Sequence, residues 1–265
     1  MLIGIDHFVV AVRDLEAASR SYAELGFTVV RGGRHPVGTH NALIAFADGA
    51  YLELIAFYAP SPGHYWWAPL QRGGGLVDFC LRTDDLLADT AAFREAGVEI
   101  DDPTPLTRVR PDGYELSWVL ALPRGGYRGV APFLIRDETP REERVPRETA
   151  QRNRVSGVGT VAVAVDDVAT VRHWYAAVLR RAGQEVRRDD LDAAGVGFAI
   201  GPHTFEFVAP RGAAGPLAAW LRLHGPSPYA ATLRTASGAG GPLDEAKSMG
   251  ARLVLEALSS AGAPP

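Results

Sequence analysis

The chain has a single cysteine, Cys80, in 265 residues. That excludes an internal disulfide and suits a reducing cytoplasm. No apolar run approaches the ~20 residues that span a bilayer. Positive charge is not in excess either: 27 basic and 31 acidic side chains give a formal net charge of −4, with no basic stripe of the kind that grips nucleic acid. The most arginine-rich stretch, REERVPRETAQRNR at 141–154, alternates in sign and reads as a solvated linker. Also missing are a strand-linked GxGxxG, a GxxxxGK phosphate loop, a GxSxG elbow and a CxxC pair. Nicotinamide, nucleoside triphosphate, serine-hydrolase and structural-zinc functions therefore lose support. The opening MLIGIDHF has no charged leader and passes straight into a strand pattern, so no signal peptide is expected.

What remains is a chain rich enough in apolar residues to bury a core, 47% hydrophobic and 22% charged. Its length allows two domains of about 130 residues each. Residues 1–57 set the pattern. Ile5 to Val12 is a β-branched run broken by one polar pair, Asp6-His7. Asp14 sits where a helix N-cap belongs, ahead of Leu15, Ala18, Tyr22 and Leu25, and Gly26 closes that helix. Strand-like runs follow at Phe27–Val30, Ala42–Phe46 and Tyr51–Ala56.

The unit recurs. A shift of about 71 residues lays Asp14-Leu15 on Asp85-Leu86 and Gly26 on Gly97. Its second copy has a strand at Leu76–Arg82, a helix at Leu86–Ala96, and strands near Leu106–Arg110, Tyr114–Leu122 and Ala131–Arg136. A shift of about 153 lays Asp14 on Asp167, Tyr22 on Tyr175 and Glu53 on Glu206, a third copy. A fourth begins at Tyr229 and stops after one strand, one helix and a short run, Ala251–Leu255. The expected class is α+β, tandem strand-helix-three-strand units paired into curved sheets. The expected division is a first domain at 1–145, a linker at 146–156, a second domain at 157–258 and a frayed tail at 259–265.

Paired units leave a concave face, a natural small-molecule cleft. Inward-pointing residues recur at every second strand position, so His7 and Glu53, each flanked by apolar neighbours, are the polar groups expected to project into it. They read either as ligands or a base–ligand pair, or as a buried hydrogen-bonded pair. GGRHPVGTHNAL, with His35, Thr39, His40 and Asn41, reads as a substrate clamp or as a surface hairpin. His64-Tyr65-Trp66-Trp67, with Tyr58 and Trp118, would wall an apolar pocket or pack a long loop onto the core. Arg108 and Arg110 flank a turn and could pair with a carboxylate ligand. Cys80, in mid-strand, reads as a small hydrophobe.

Paired units with a first-strand histidine and a fourth-strand glutamate resemble the vicinal oxygen chelate superfamily, which includes glyoxalase I, extradiol dioxygenases and bleomycin-resistance proteins. The segments GGRHPVGTHNALIAFADGAYLELIA, RVRPDGYELSWVLALP and APFLIRDETPRE are similar to its glyoxalase-like family. The resemblance implies a divalent metal (Zn, Fe, Mn or Ni) held by His7, Glu53 and Asp78, with Phe133, Leu134 or Ile135 where a fourth ligand would stand. It implies Glu53 and His40 as proton-moving groups, and His35, Asn41, Arg110 and Trp118 as substrate contacts. Lyase, isomerase and dioxygenase outcomes follow for a vicinal-oxygen substrate, with metal-free sequestration as the alternative. The second half, with Thr160 and Ala230 at the ligand positions and Glu206 alone, reads as a degenerate copy. Neither nucleic acid nor membrane is expected as a partner. A homodimer would complete the truncated fourth unit.

Overall fold

Each of the first three repeats opens with the same local instruction. Asp14, Asp85 and Asp167 cap helices that follow the first strand of their unit, their carboxylates accepting from the backbone N–H groups of Ala17, Ala88 and both Ala169 and Thr170. Gly26 ends the first of these helices at a φ of +91°, a conformation that costs other residues dearly. The computed structural model describes residues 1–236 and 240–258. The tail at 259–265 lies outside the described residues.

Unit one consists of β1 (Leu2–Ala11), α1 (Leu15–Glu24), β2 (Val30–Arg34), β3 (Thr39–Ala45) and β4 (Tyr51–Phe57). A short helix, α2 (Trp67–Gln71), leads into unit two: β5 (Gly75–Thr83), α3 (Leu86–Glu95), β6 (Thr104–Val109), β7 (Glu115–Ala121) and β8 (Phe133–Asp137). The eight strands close into a barrel of order β1-β4-β3-β2-β6-β7-β8-β5. Its seams are an antiparallel β1–β5 ladder and a single β2–β6 pair, Arg34 with Val109. A barrel of eight strands has room for side chains or for one small ligand.

After α4 (Arg141–Arg144) come β9 (Val155–Ala164), α5 (Val168–Leu179), β10 (Gln184–Arg188), β11 (Ala193–Ile200), β12 (His203–Pro210), α6 (Pro216–His224), β13 (Ser227–Thr235), β14 (Gly241–Pro242) and β15 (Leu253–Ala257). They form an open sheet, β10-β11-β12-β9-β13-β15-β14. The architecture is the α+β class of paired strand-helix-strand units.

Three details differ from the sequence pattern. The second strand begins at Val30, because Phe27 turns into the core and is 2% exposed. The helix expected in the fourth unit is a single turn, in which the Gly250 N–H donates to Glu245 O; Pro242 and Gly250 leave too short a run for more. And 141–154 is not a solvated linker: Arg144 is 3% exposed, while Gln151 receives the Thr28 N–H and donates to Ala45 O.

Alternation along β1 separates two cores. Phe8 and Val10 face out of the barrel into a large cluster shared with the second sheet, while Val9 and Ala11 face inward with Ile55, Cys80, Trp118 and Phe133. The halves meet through Phe79 and Phe205, whose ring centroids are 5.1 Å apart. Tyr22 donates to Ser248 O and Tyr175 to Val130 O, at 2.9 and 3.0 Å. In the second half the face equivalent to the barrel interior is filled: Leu217 of α6 packs against Ala164, Val208 and Tyr229, and Glu206 pairs with Arg188 at 2.9 Å. No helix among the described residues is long and apolar enough to cross a membrane.

Candidate functional site

Neighbouring residues on a strand normally face opposite ways, so Asp6 and His7 ought not to share a site. They do because the β1–β5 register slips between Ile5 and His7, two residues of β1 spanning one step of β5, Leu81 to Cys80. Such a bulge re-aims a side chain. His7 Nδ1 lies 2.7 Å from Asp6 Oδ1, and its Nε2 lies 3.4 Å from Glu53 Oε2 on β4. The Tyr51 ring stacks on the imidazole at 4.6 Å between centroids. Asn41, one strand over on β3, donates its amide to Glu53. Gly32 makes room for that amide, since a Cβ there would stand 2.0 Å from Asn41 Oδ1.

Behind this pair lies an ion network. Asp6 is wholly buried and is held by Arg144, at 3.0 and 3.1 Å, and by Arg141. Arg144 also binds Asp137 and donates to Tyr51 Oη at 2.7 Å. Burial by itself would raise the Asp6 carboxyl, but the two guanidinium groups and His7 hold it well below the usual range. Burial likewise works against a charged His7, yet its bonds to Asp6 and Glu53 raise its pKa above the ordinary value. For Glu53 burial opposes ionisation, and the His7 and Asn41 hydrogen bonds with nearby His35 bring its pKa down to about 2. Three carboxylates, Asp6, Glu53 and Asp137, thus face three cations, His7, Arg141 and Arg144.

His7 and Glu53 open onto a cavity inside the barrel, some 510 Å³ of empty space that is partly continuous with solvent. Its walls are largely apolar and aromatic: Tyr65, Trp66, Trp118, Leu120, Phe133 and Ile135. The segment before α2 is therefore pocket wall, not only packing. His35 lies against Trp118 and bonds Thr39 Oγ1 at 2.9 Å. Burial pushes His35 down to about 4, and His64, also burial-driven, to about 4, so both imidazoles are neutral near pH 7.

Of the residues expected from sequence, the fold brings His7, Glu53, His35, Asn41 and Trp118 together around this cavity. Three others stand elsewhere. His40 follows Thr39 and precedes Asn41, so alternation turns it to the outer face of β3, against Tyr58 at 4.7 Å. Arg110 lies past the end of β6, paired with Asp112 at the surface. Asp78 does not line the cavity; Trp66 does, and its indole N–H donates to Asp78 at 2.9 Å. Burial raises Asp78 to about 6, against the pull of that indole. Sequence reasoning missed Asp6, Arg141 and Arg144, although the polar pair Asp6-His7 inside an apolar strand was a visible signal. It also set Arg108 beside Arg110; only Arg108 enters the cavity.

The donors a metal would need can be checked against this geometry. Two atoms ligated to one ion at 2.0–2.2 Å stand roughly 3.0–3.5 Å apart, and the His7–Glu53 spacing of 3.4 Å meets that. No third protein donor among the described residues joins them. Among the described residues one group of three potential ligands lies close together, Asp6, His7 and Cys80. Asp6 is already committed to two arginines, and burial pushes the Cys80 thiol well up, so that trio does not fit an ion.

A closed barrel of paired strand-helix-three-strand units, with one polar corner in an apolar interior, defines the class as a vicinal oxygen chelate fold. The glyoxalase-like domain family matches residues 5–179, and the chain belongs to it. No curated protein sequence matches the chain. Among solved structures, a hypothetical protein from Staphylococcus aureus is similar over 97% of this chain and 100% of its own, with a TM-score of 0.72 and 17% identity. A mutant 4-hydroxymandelate synthase from Streptomyces coelicolor is similar over 92% of this chain and 78% of its own, with a TM-score of 0.64 and 18% identity. A fusion of a xylose isomerase-like TIM barrel with 4-hydroxyphenylpyruvate dioxygenase matches over 88% of this chain and 36% of its own, with a TM-score of 0.53 and 13% identity. At such identities the likeness concerns the fold.

Proposed function

We propose that the barrel cavity binds a small molecule with a planar, apolar body and does so without a resident metal ion. The observation that carries this reading is the fate of the four positions at which paired units could offer ligands. Two, His7 and Glu53, hold each other at 3.4 Å. The third, Asp78, accepts the Trp66 indole N–H, and the fourth region is apolar Phe133 to Ile135. Catalytic metals usually have three protein ligands.

The protonation states point the same way. Abstracting a proton beside a carbonyl calls for a base with a pKa near the working pH. Glu53 is held to about 2, too weak a base, and His35 at about 4 is little better. His7 has both ring nitrogens engaged by carboxylates. Asp78, at about 6, stands behind Trp66. A largely apolar and aromatic wall with a few polar groups at one corner is the usual make-up of a small-molecule site.

Tryptophan fluorescence reads the site directly, because Trp66 and Trp118 line it. Small mono- and bicyclic aromatics are expected to change the emission saturably, and titration with Zn, Mn, Fe(II) or Ni is expected to give no stoichiometric heat. A second reading, a metal-dependent lyase, isomerase or dioxygenase, rests on the 3.4 Å spacing alone. One equivalent of bound ion, lost in both His7→Ala and Glu53→Ala, would put that reading in place of the first.

A further inference from the structure

We propose that the compound held in this cavity is a monoanion, a carboxylate on a planar apolar body, and that Arg108 is the residue that selects it. This deepens the reading of the cavity as a small-molecule site and rests on it.

Arg108 projects from β6 into the barrel interior, is 3% exposed and lines the cavity. Its one hydrogen bond runs from Nη2 to the backbone oxygen of Arg144, at 2.9 Å. Its Nε is buried and has no partner, and among the described residues no carboxylate comes within ion-pairing distance of it. Neighbouring cations are treated differently: buried Arg144 has Asp6 and Asp137, half-buried Arg141 has Asp6, and buried His7 has Asp6 and Glu53. A guanidinium does not escape by losing its proton. A buried charge without a counter-charge is costly and is found where something else supplies one.

A guanidinium without an ion-pair partner at the edge of an aromatic cavity sets the ligand's chemistry. A carboxylate matches it in charge and presents the planar oxygens that a guanidinium binds well. A phosphate monoester would bring nearly two charges and three oxygens to this one guanidinium, and α2, which begins beside Trp66 at the cavity wall, is only five residues long and offers little to take the rest. The flat hydrocarbon remainder would lie between Trp66, Trp118 and Phe133. Arg110 has none of these features, being half-buried outside the cavity and paired with Asp112.

The test pairs each acid with its neutral amide: benzoate with benzamide, phenylacetate with phenylacetamide, and 2-naphthoate with 2-naphthamide, by tryptophan fluorescence and by ligand-induced rise in Tm. Wild-type protein is expected to bind each acid about tenfold or more tightly than its amide. Arg108→Gln is expected to bind the amides as before and to lose that preference, and Arg108→Lys to keep part of it. Because removing an unpaired buried charge relieves a burial cost, unliganded Arg108→Gln should melt no lower than wild type. Equal affinity for acid and amide in wild type, or a preference that survives in Arg108→Gln, would overturn the inference while leaving the cavity reading intact. If neither acids nor amides bind, both fall. Should Arg108→Gln not fold, the wild-type comparison and Arg108→Lys decide alone.

Discussion

His7 sits between two carboxylates, and its two bonds respond to pH from opposite ends. Its folded pKa lies above the ordinary 6.5, so the stabilisation it brings is fully present below 6.5 and is lost as pH rises through the folded value. Glu53 runs the other way: its folded pKa of about 2 lies below the ordinary 4.5, so its contribution is present above 4.5 and is lost as pH falls towards 2. The pair is strongest between those limits. Replacing His7 by Gln is expected to cost about 3 kcal/mol at pH 6, since it leaves buried carboxylates without their cation. Urea unfolding should show that deficit shrinking towards pH 9. A deficit that is the same at both pH values would mean that the imidazole is not charged in the folded protein.

Element by element, the site depends on a segment that looks unstructured. α4 has four residues, yet it brings Arg144 across the barrel to Asp6 on β1 and Asp137 on β8. The bulge in β1 and this short helix therefore position each other. Arg144→Met is expected to destabilise by about 3–5 kcal/mol, because Asp6 would be left buried and underpaired. Combining it with Asp6→Asn should recover a good part of the loss, so the double variant should be more stable than the two single losses added together. Strictly additive losses in chemical denaturation would show that the Asp6–Arg144 contact is not the tie between β1 and α4.

For the molecule as a whole, the second sheet is part of the barrel's own core. Phe79 faces Phe205, and Phe93 stacks edge-on against Tyr175 at 6.0 Å. His203 bridges the halves, its ring accepting the Ile5 N–H at 3.0 Å and reaching Asp48 at 3.2 Å. A chain cut after residue 150 is therefore expected to expose this apolar face, bind a hydrophobic dye and aggregate. The full chain should melt in one calorimetric transition. A soluble fragment 1–150 with a sharp transition of its own would separate the barrel from the sheet energetically.

The sequence by itself determined the repeat. Capping aspartates at 14, 85 and 167 and the β-branched first strands are local signals, and local hydrogen bonding and side-chain period are enough to read them. Through that repeat the polar pair at 7 and 53 was legible as well, because two strand positions of one unit predict a shared face. Only the tertiary structure decided the rest. Asp6 joins the site through a register slip that no single strand encodes, and Arg144 enters it from a stretch whose alternating charges read as solvent-facing. Asp78 holds the equivalent position to His7, yet the Trp66 indole bonds it and lines the cavity in its place. Between Arg108 and Arg110 the choice turned on where β6 ends, two residues apart in sequence but buried in the cavity in one case and paired at the surface in the other. Charge type is written in the chain; which charges lose water and find partners depends on what packs over them.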